Sequence, residues 1–336
     1  MAPPWIRGEF QVDKIKILWV STTIPCDKVH HAGGKTFRYY FDFMKNTQQF
    51  DIKLIAMNDG VEEQEANRQL EDIDCRIVYR LHSLKGQIRK IRNIESRYNP
   101  WNKYAGLIYR TYVDEILFYA EQYKAEGFFP HIIILEWTSM VLLAKDMKAV
   151  FPECKIAASE HDVTFVGYER RKNYYTGISK FIWNFRFQNE KRRELDSLSL
   201  CDLVLPHNPD NIQLLCREGI AEKKMEWLIP YYDDMSGIRR SSNGRDILFF
   251  GAMNRPENYL SAIWFIDYVM PLIEDIDIKF IILGGSPTDE LRSRENHKIH
   301  VTGFVDDVIP YFEKAMCLVA PLVLGAGIKV KILEAL

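Results

Sequence analysis

The sequence predicts an α/β protein built from two parallel-sheet domains. Three observations lead there. Strand-like apolar runs alternate with helix-period patterns along the chain. A polar, turn-rich stretch over residues 230–245 divides that alternation in two. The last apolar run leads into glycines that open a helix over residues 325–336.

The elements follow in order. Residues 15–20 form the first strand. A loop holding Gly33-Gly34 comes next, and then Phe37, Tyr40, Phe41 and Met44 fall at i, i+3, i+4 and i+7, one face of a helix. Residues 52–56, 132–135, 156–158 and 203–205 read as buried strands. Asn208-Pro209-Asp210 starts a helix that runs through Leu214 and Cys216 and closes at Gly219. The N-terminal domain spans 1–235, a linker 236–245, and the C-terminal domain 246–336. The second domain has strands at 247–250, 279–283, 300–301 and 317–320. Asp306 or Asp307 caps a helix through Tyr311 and Phe312.

Composition narrows the function classes. The 336 residues are 47% hydrophobic and 27% charged, ordinary for a globular protein of two domains. A net charge of −2 argues against a general nucleic-acid binder. The six cysteines show no Cys-x-x-Cys pair and read as buried free thiols. The N-terminus carries no basic-then-apolar leader, and no apolar run nears the ~20 residues of a membrane span. The expectation is a cytoplasmic protein.

Several residues carry candidate chemistry. A helix start offers unpaired N–H groups and partial positive charge, so the glycines at 325 and 327 suit a phosphate. Lys329 and Lys331 add charge, and Glu334 is placed to accept from ribose hydroxyls, the layout of a nucleotide-sugar site. Gly325-x-Gly327 is not a dinucleotide fingerprint, because Val330 replaces its third glycine. Gly33-Gly34-Lys35 reads either as a phosphate loop or as a tight strand–helix turn, and His30-His31 before it as a polar loop. His161 lies past the strand at 155–158, where α/β ligand sites form. It is either an active-site histidine or a structural one held by Glu160 or Asp162. Glu136-Trp137 can face an acceptor, but the simpler reading is a strand-end pair. No Asp-x-Asp falls in a loop placed to hold a divalent metal, so metal-independent transfer is expected, without a cofactor. The basic, aromatic segment 168–193 either lies on an anionic membrane surface or packs its aromatics inward.

The second half carries a family pattern. Its segments are Ile247-Leu248-Phe249-Phe250-Gly251, Arg255-Pro256-Glu257-Asn258, Phe280-Ile281-Ile282-Leu283-Gly284-Gly285, Val301-Thr302-Gly303-Phe304-Val305-Asp306 and the run from Gly325 to Glu334. In order and spacing they resemble the donor-binding domain of glycosyltransferase family 4, of GT-B fold. Gly33-Gly34, His161, Asp202-Leu203-Val204 and Trp227-Leu228-Ile229-Pro230 fit the same family more loosely. The resemblance implies two Rossmann-like domains facing a cleft, the second incomplete, with the chain ending inside a longer protein. It implies retaining transfer from a nucleotide-diphosphate sugar to a hydroxyl of a glycan or lipid-linked acceptor, at the inner face of the membrane if 168–193 touches lipid. His161 would act at the reaction centre. Gly33, Gly34, Arg255, Gly284, Phe304, Gly327, Ile328, Lys329, Lys331 and Glu334 would bind the donor.

Two departures stand out. The family's Glu-x7-Glu keeps only Glu334, with Ala326 in the first place. The family's diphosphate-binding Arg and Lys fall on Ala252 and Asn258, which leaves the charge to Lys329, Lys331, Arg255 and backbone amides. These keep a second reading open, a catalytically silent GT-B subunit that binds a glycan or a partner transferase. A GT-B epimerase finds no support beyond the shared fold.

Overall fold

The computed structural model describes residues 14–26, 31–58, 68–79, 102–241, 243–275, 277–322, 324 and 329–335. The chain divides into two compact units, Met1–His161 with Arg192–Ile229, and Asp162–Lys191 with Pro230–Leu336. Segment 162–191, read from sequence as part of the first domain, groups with the second unit, and the division falls inside the helix Gly177–Leu200.

The first unit holds six parallel strands: β1 (Ile15–Ser21), β2 (Phe50–Asn58), β3 (Asp74–Tyr79), β4 (Ile132–Glu136), β5 (Lys155–Glu160) and β6 (Leu203–Pro206). Their order is β3-β2-β1-β4-β5-β6. β1 is central and buried on both faces from Ile17 onward, as its apolar run Ile17–Val20 requires. Ile17 and Trp19 face a core that Phe37 and Phe41 fill from the helix Ala32–Asn46. Each buried phenylalanine contributes about 1.5–3 kcal/mol. His31 caps that helix, its Nδ1 accepting from the Gly34 N–H at 2.9 Å. Tyr40 of the same helix donates to the carbonyl of Ile229 at 2.7 Å.

The second unit holds four parallel strands: β7 (Asp246–Phe250), β8 (Phe280–Leu283), β9 (Ile299–Gly303) and β10 (Ala315–Leu318), in the order β10-β7-β8-β9. β10 begins two residues before the run expected at 317–320. The helix Pro256–Tyr268 buries Ala262, Phe265 and Ile266 in one cluster with Phe249, Phe280 and Ile282. The N-cap of the helix Ile309–Lys314 is Val308 rather than Asp306 or Asp307, and Asp307 instead accepts from the Ile309 N–H at 2.9 Å in the turn before it. Among the described residues the final helix is one turn, Val330–Leu333.

Both sheets reverse strand order beside their first strand, between β1 and β4 and between β7 and β10. Crevices at the carboxyl ends of strands next to such reversals are where open α/β sheets bind ligands.

Candidate active site

In the first unit, three neighbouring strand ends converge on one carboxylate. Glu136 closes β4, Ser159 lies opposite it on β5, and His161 and His207 follow β5 and β6. Glu136 Oε1 is 2.6 Å from His161 Nε2 and 2.7 Å from Ser159 Oγ. Its Oε2 accepts from the indole N–H of Trp19, across the order reversal, at 2.9 Å. Ser159 Oγ in turn is 3.2 Å from His207 Nε2. Indole can only donate, and a serine that donates to Glu136 must accept from His207. With Glu136 as a carboxylate, the network assigns one set of protons: Nε2–H on both histidines and a Glu136 that only accepts. His161 Nδ1 is then the acceptor nitrogen.

Burial sets the electrostatics. It raises the Glu136 pKa, while His207 and the Ser159 and Trp19 hydrogen bonds pull the other way. Burial, with nearby His31, pushes the His161 imidazole down to about 3. Burial and His161 push His207 down to about 3, against the pull of Glu136. Both rings are neutral at physiological pH.

Trp137 gives the site its shape. Its ring stacks on His161, centroids 4.5 Å apart and planes 11° from parallel. Its backbone, at φ 69° and ψ 150°, lies in a region that belongs almost wholly to glycine. Such a conformation costs on the order of 1–3 kcal/mol and persists only where the surroundings fix it. A Cβ on Gly33 would stand 3.1 Å from His161 Nδ1 and 3.2 Å from Trp137 Nε1. Gly33 is thus the residue that leaves room beside the acceptor nitrogen.

In the second unit, glycines end the strands. Gly251 and Gly284 have φ values of 156° and 151°, and a Cβ on Gly284 would fall 1.8 Å from the Gly251 carbonyl oxygen. Lys331 stands over this floor. Its Nζ donates to Asn258 Oδ1 at 3.1 Å and lies 4.7 Å from the Phe249 ring centroid. Asn258 is fixed by donating to the Ala252 carbonyl at 2.8 Å. Burial, then repulsion from Lys329 and Arg255, lowers Lys331 to about 8. Burial also lowers Lys329, against the pull of Asp162. It raises the Asp162 carboxyl to about 6, against Lys329 and Arg255. Arg255 pairs with Glu257 at 2.5 Å.

The expected residues therefore fall in several places. Gly33 lies beside His161, and Gly34 donates to the His31 cap. Lys329, Lys331 and Arg255 come together near Gly251 and Gly284. Phe304 is exposed beside Gly285. Glu334 lines a cavity of about 610 Å³ with Asp234, Ser236 and Leu318. Gly327 and Ile328, with Ala326, lie outside the described residues. The partner of His161 is neither Glu160 nor Asp162 but Glu136. Glu136, Ser159 and His207 were missed as a group. The available signal was that each sits at the carboxyl end of a strand adjacent in the sheet. Glu136, His161 and His207 also form the one group among the described residues with metal-ligand chemistry, their ligand atoms within 4.8 Å of one another. In this structure those atoms bond to one another and to Ser159.

Two parallel α/β sheets with these strand orders give the GT-B fold. Residues 244–336 match the family model for glycosyl transferases group 1. Among solved structures, Anabaena Alr3699/HepE in complex with UDP and glucose matches with a TM-score of 0.60 at 11% identity, over 96% of this chain and 78% of that one. The lipopolysaccharide outer core galactosyltransferase WaaB matches at a TM-score of 0.55 and 10% identity, over 96% and 78%. The N-terminal domain of Candida albicans trehalose-6-phosphate phosphatase matches at 0.55 and 14%, over 98% and 81%. No curated protein sequence matches the chain.

Proposed function

We propose that the protein is a GT-B glycosyltransferase. It moves a sugar from a nucleotide-diphosphate donor to a hydroxyl of a glycan or lipid-linked glycan, with retention and without a metal. The observation that carries this reading is the cation-bearing, glycine-floored end of β7 and β8, inside the segment that matches the group 1 model. The UDP bound by HepE supports a nucleotide sugar as donor.

Lys331 answers the departure at Asn258. Where the resembled family has a lysine on the helix, this chain has an asparagine that holds the Lys331 ammonium 3.1 Å away. The Lys331 charge thus lies beside the helix position that Asn258 occupies. With Lys329 and Arg255 it meets the donor diphosphate, and exposed backbone amides at the glycines add donors. Glu334 and Phe304 take the ribose and base. The leaving phosphate assists deprotonation of the acceptor. His161 is oriented by Glu136 and held neutral by burial, and presents Nδ1 as an acceptor for a sugar hydroxyl.

The test is turnover of a panel of nucleotide sugars by the purified chain, with and without EDTA. Release of nucleotide diphosphate that survives EDTA is expected. Donor binding without turnover would favour the silent-subunit reading. Activity lost to EDTA and restored by Mn²⁺ or Mg²⁺ would overturn metal independence.

A further inference from the structure

The helices Thr164–Tyr174 and Gly177–Leu200 sort their aromatic residues onto two faces. On the inner face, Trp183 carries the guanidinium groups of Arg186 and Arg171 at 4.7 and 5.0 Å from its ring centroid. Phe187 is buried beneath the Lys172 ammonium at 4.3 Å. On the outer face, Ile178, Phe181, Ile182 and Phe185 fall at i, i+3, i+4 and i+7, a single stripe. They are 82%, 75%, 51% and 48% exposed. An apolar stripe left in water at this spacing marks a surface that meets something.

Charge says what it meets. From Arg170 to Asn189 the chain has Arg170, Arg171, Lys172, Lys180 and Arg186 and no acidic residue, although the whole chain is −2. Glu169 and Glu190 bound this stretch, and over residues 164–200 eight basic residues outweigh four acidic ones, so the hairpin keeps a local positive excess. Arg171, Lys172 and Arg186 are drawn onto aromatic rings of the inner face, Arg170 acts on Asp162 and Lys329, and Lys180 is exposed beside the stripe. A second copy meeting the same stripe about a two-fold axis would set the two basic sets against each other. A leaflet of acidic lipids offers hydrocarbon for the stripe and phosphate for the cations.

We propose that this hairpin is a membrane-contact element. Ile178, Phe181, Ile182 and Phe185 enter the boundary between headgroups and acyl chains of an anionic leaflet, and Lys180 binds a headgroup phosphate. The contact is peripheral, since no described helix is long and apolar enough to cross a membrane. It stands independently of the transferase reading, because it uses no residue assigned to the active site.

The test is co-sedimentation of the full chain with vesicles of phosphatidylcholine and phosphatidylglycerol, against phosphatidylcholine alone. Binding to the anionic vesicles only, weakened by salt, is expected. The variant Ile178→Ser/Phe181→Ser should keep its melting temperature and lose roughly tenfold or more in partitioning, since each apolar side chain withdrawn from lipid removes a driving force of that order. Lys180→Gln should narrow the preference for anionic over neutral vesicles. Equal partitioning of the wild type to both vesicle types overturns the proposal, as does a serine variant that binds like wild type. Sedimentation velocity supplies the remaining check. A wild-type dimer that the serine variant dissolves into monomers assigns the stripe to a contact between copies and overturns the membrane reading.

Discussion

Glu136 and His161 stand at the ends of neighbouring parallel strands with Oε1 and Nε2 2.6 Å apart, and the Trp137 ring lies flat on the imidazole. The carboxylate fixes which nitrogen carries the proton, and the indole fixes the plane of the ring.

Replacing Glu136 with Gln tests the first half of that arrangement. The amide keeps the shape, but its NH2 can face Nε2 as a donor and reverse the tautomer. We expect kcat to fall on the order of a hundredfold, the lower bound for a positioned acid–base group, with the donor KM near wild type. A tautomer that stays Nε2–H by nitrogen-15 NMR, together with unchanged kcat, would show that Glu136 does not orient His161.

Gly33→Ala separates activity from stability. Gly33 is helical, where alanine is favoured over glycine by about 0.5–1 kcal/mol. The new methyl would press on His161 Nδ1 and Trp137 Nε1 from 3.1 and 3.2 Å. The expected outcome is a melting temperature at or slightly above wild type with turnover clearly reduced. A variant that unfolds early would instead point to a packing role for Gly33.

Exchanging Lys331 and Asn258 tests the role of this pair. Lys331→Asn should weaken donor binding roughly tenfold to a hundredfold, the range for a lost charge-assisted contact of about 1.5–3 kcal/mol. Lys331→Asn/Asn258→Lys should recover part of that loss by calorimetry. Donor affinity of the wild type should also decline as pH rises past about 8, where Lys331 loses its proton. No recovery in the double variant, with both variants folded, would separate the two positions functionally.

Acid should destabilise the first unit. His161 and His207 have pKa values near 3 when folded, against the ordinary histidine value of 6.5. Between these limits the unfolded chain binds more protons than the native one, so stability falls as pH drops below 6.5, by about 1.4 kcal/mol per pH unit for each histidine. Glu136, raised by burial, acts in the opposite direction but holds at most one proton against two. Denaturant titrations from pH 7 to 4 should show the decline, and His207→Gln should make it shallower. A flat profile would mean that the histidines are solvated.

Most of the fold was legible because parallel strands buried on both faces leave continuous apolar runs. β1, β4 and β7 are of this kind, and their runs lie within a residue or two of the strands. The helix face of Phe37 and Phe41 was equally plain, since periodicity records which side is covered, but Gly33 and Gly34, expected in a loop, lie in the first turn of that helix. The site was legible only in part. His161 was found by its place after a strand, yet its partner lies 25 residues earlier in sequence, and strand adjacency is a property of the sheet. His207 went unnoticed for the same reason. The four exposed residues Ile178 to Phe185 could not be told from the inward Trp183 and Phe187, because aromatics occupy both faces of that helix. Lys331 was expected at the diphosphate, but its anchor, Asn258, lies 73 residues away in sequence and meets it only through the fold.

The near-collision at Gly284 bears on how mutational maps of this protein should be interpreted. With any β-carbon 1.8 Å from the Gly251 carbonyl oxygen, position 284 accepts one amino acid of the twenty. A saturation screen scored by activity would show a blank column there and invite the label of donor contact. The same column would be blank in a screen scored by abundance alone, because the ends of β7 and β8 could no longer close. Lys331, held only by side-chain contacts, should be dark in the first map and light in the second. Subtracting one map from the other would therefore sort the residues that build this loop from those that use it.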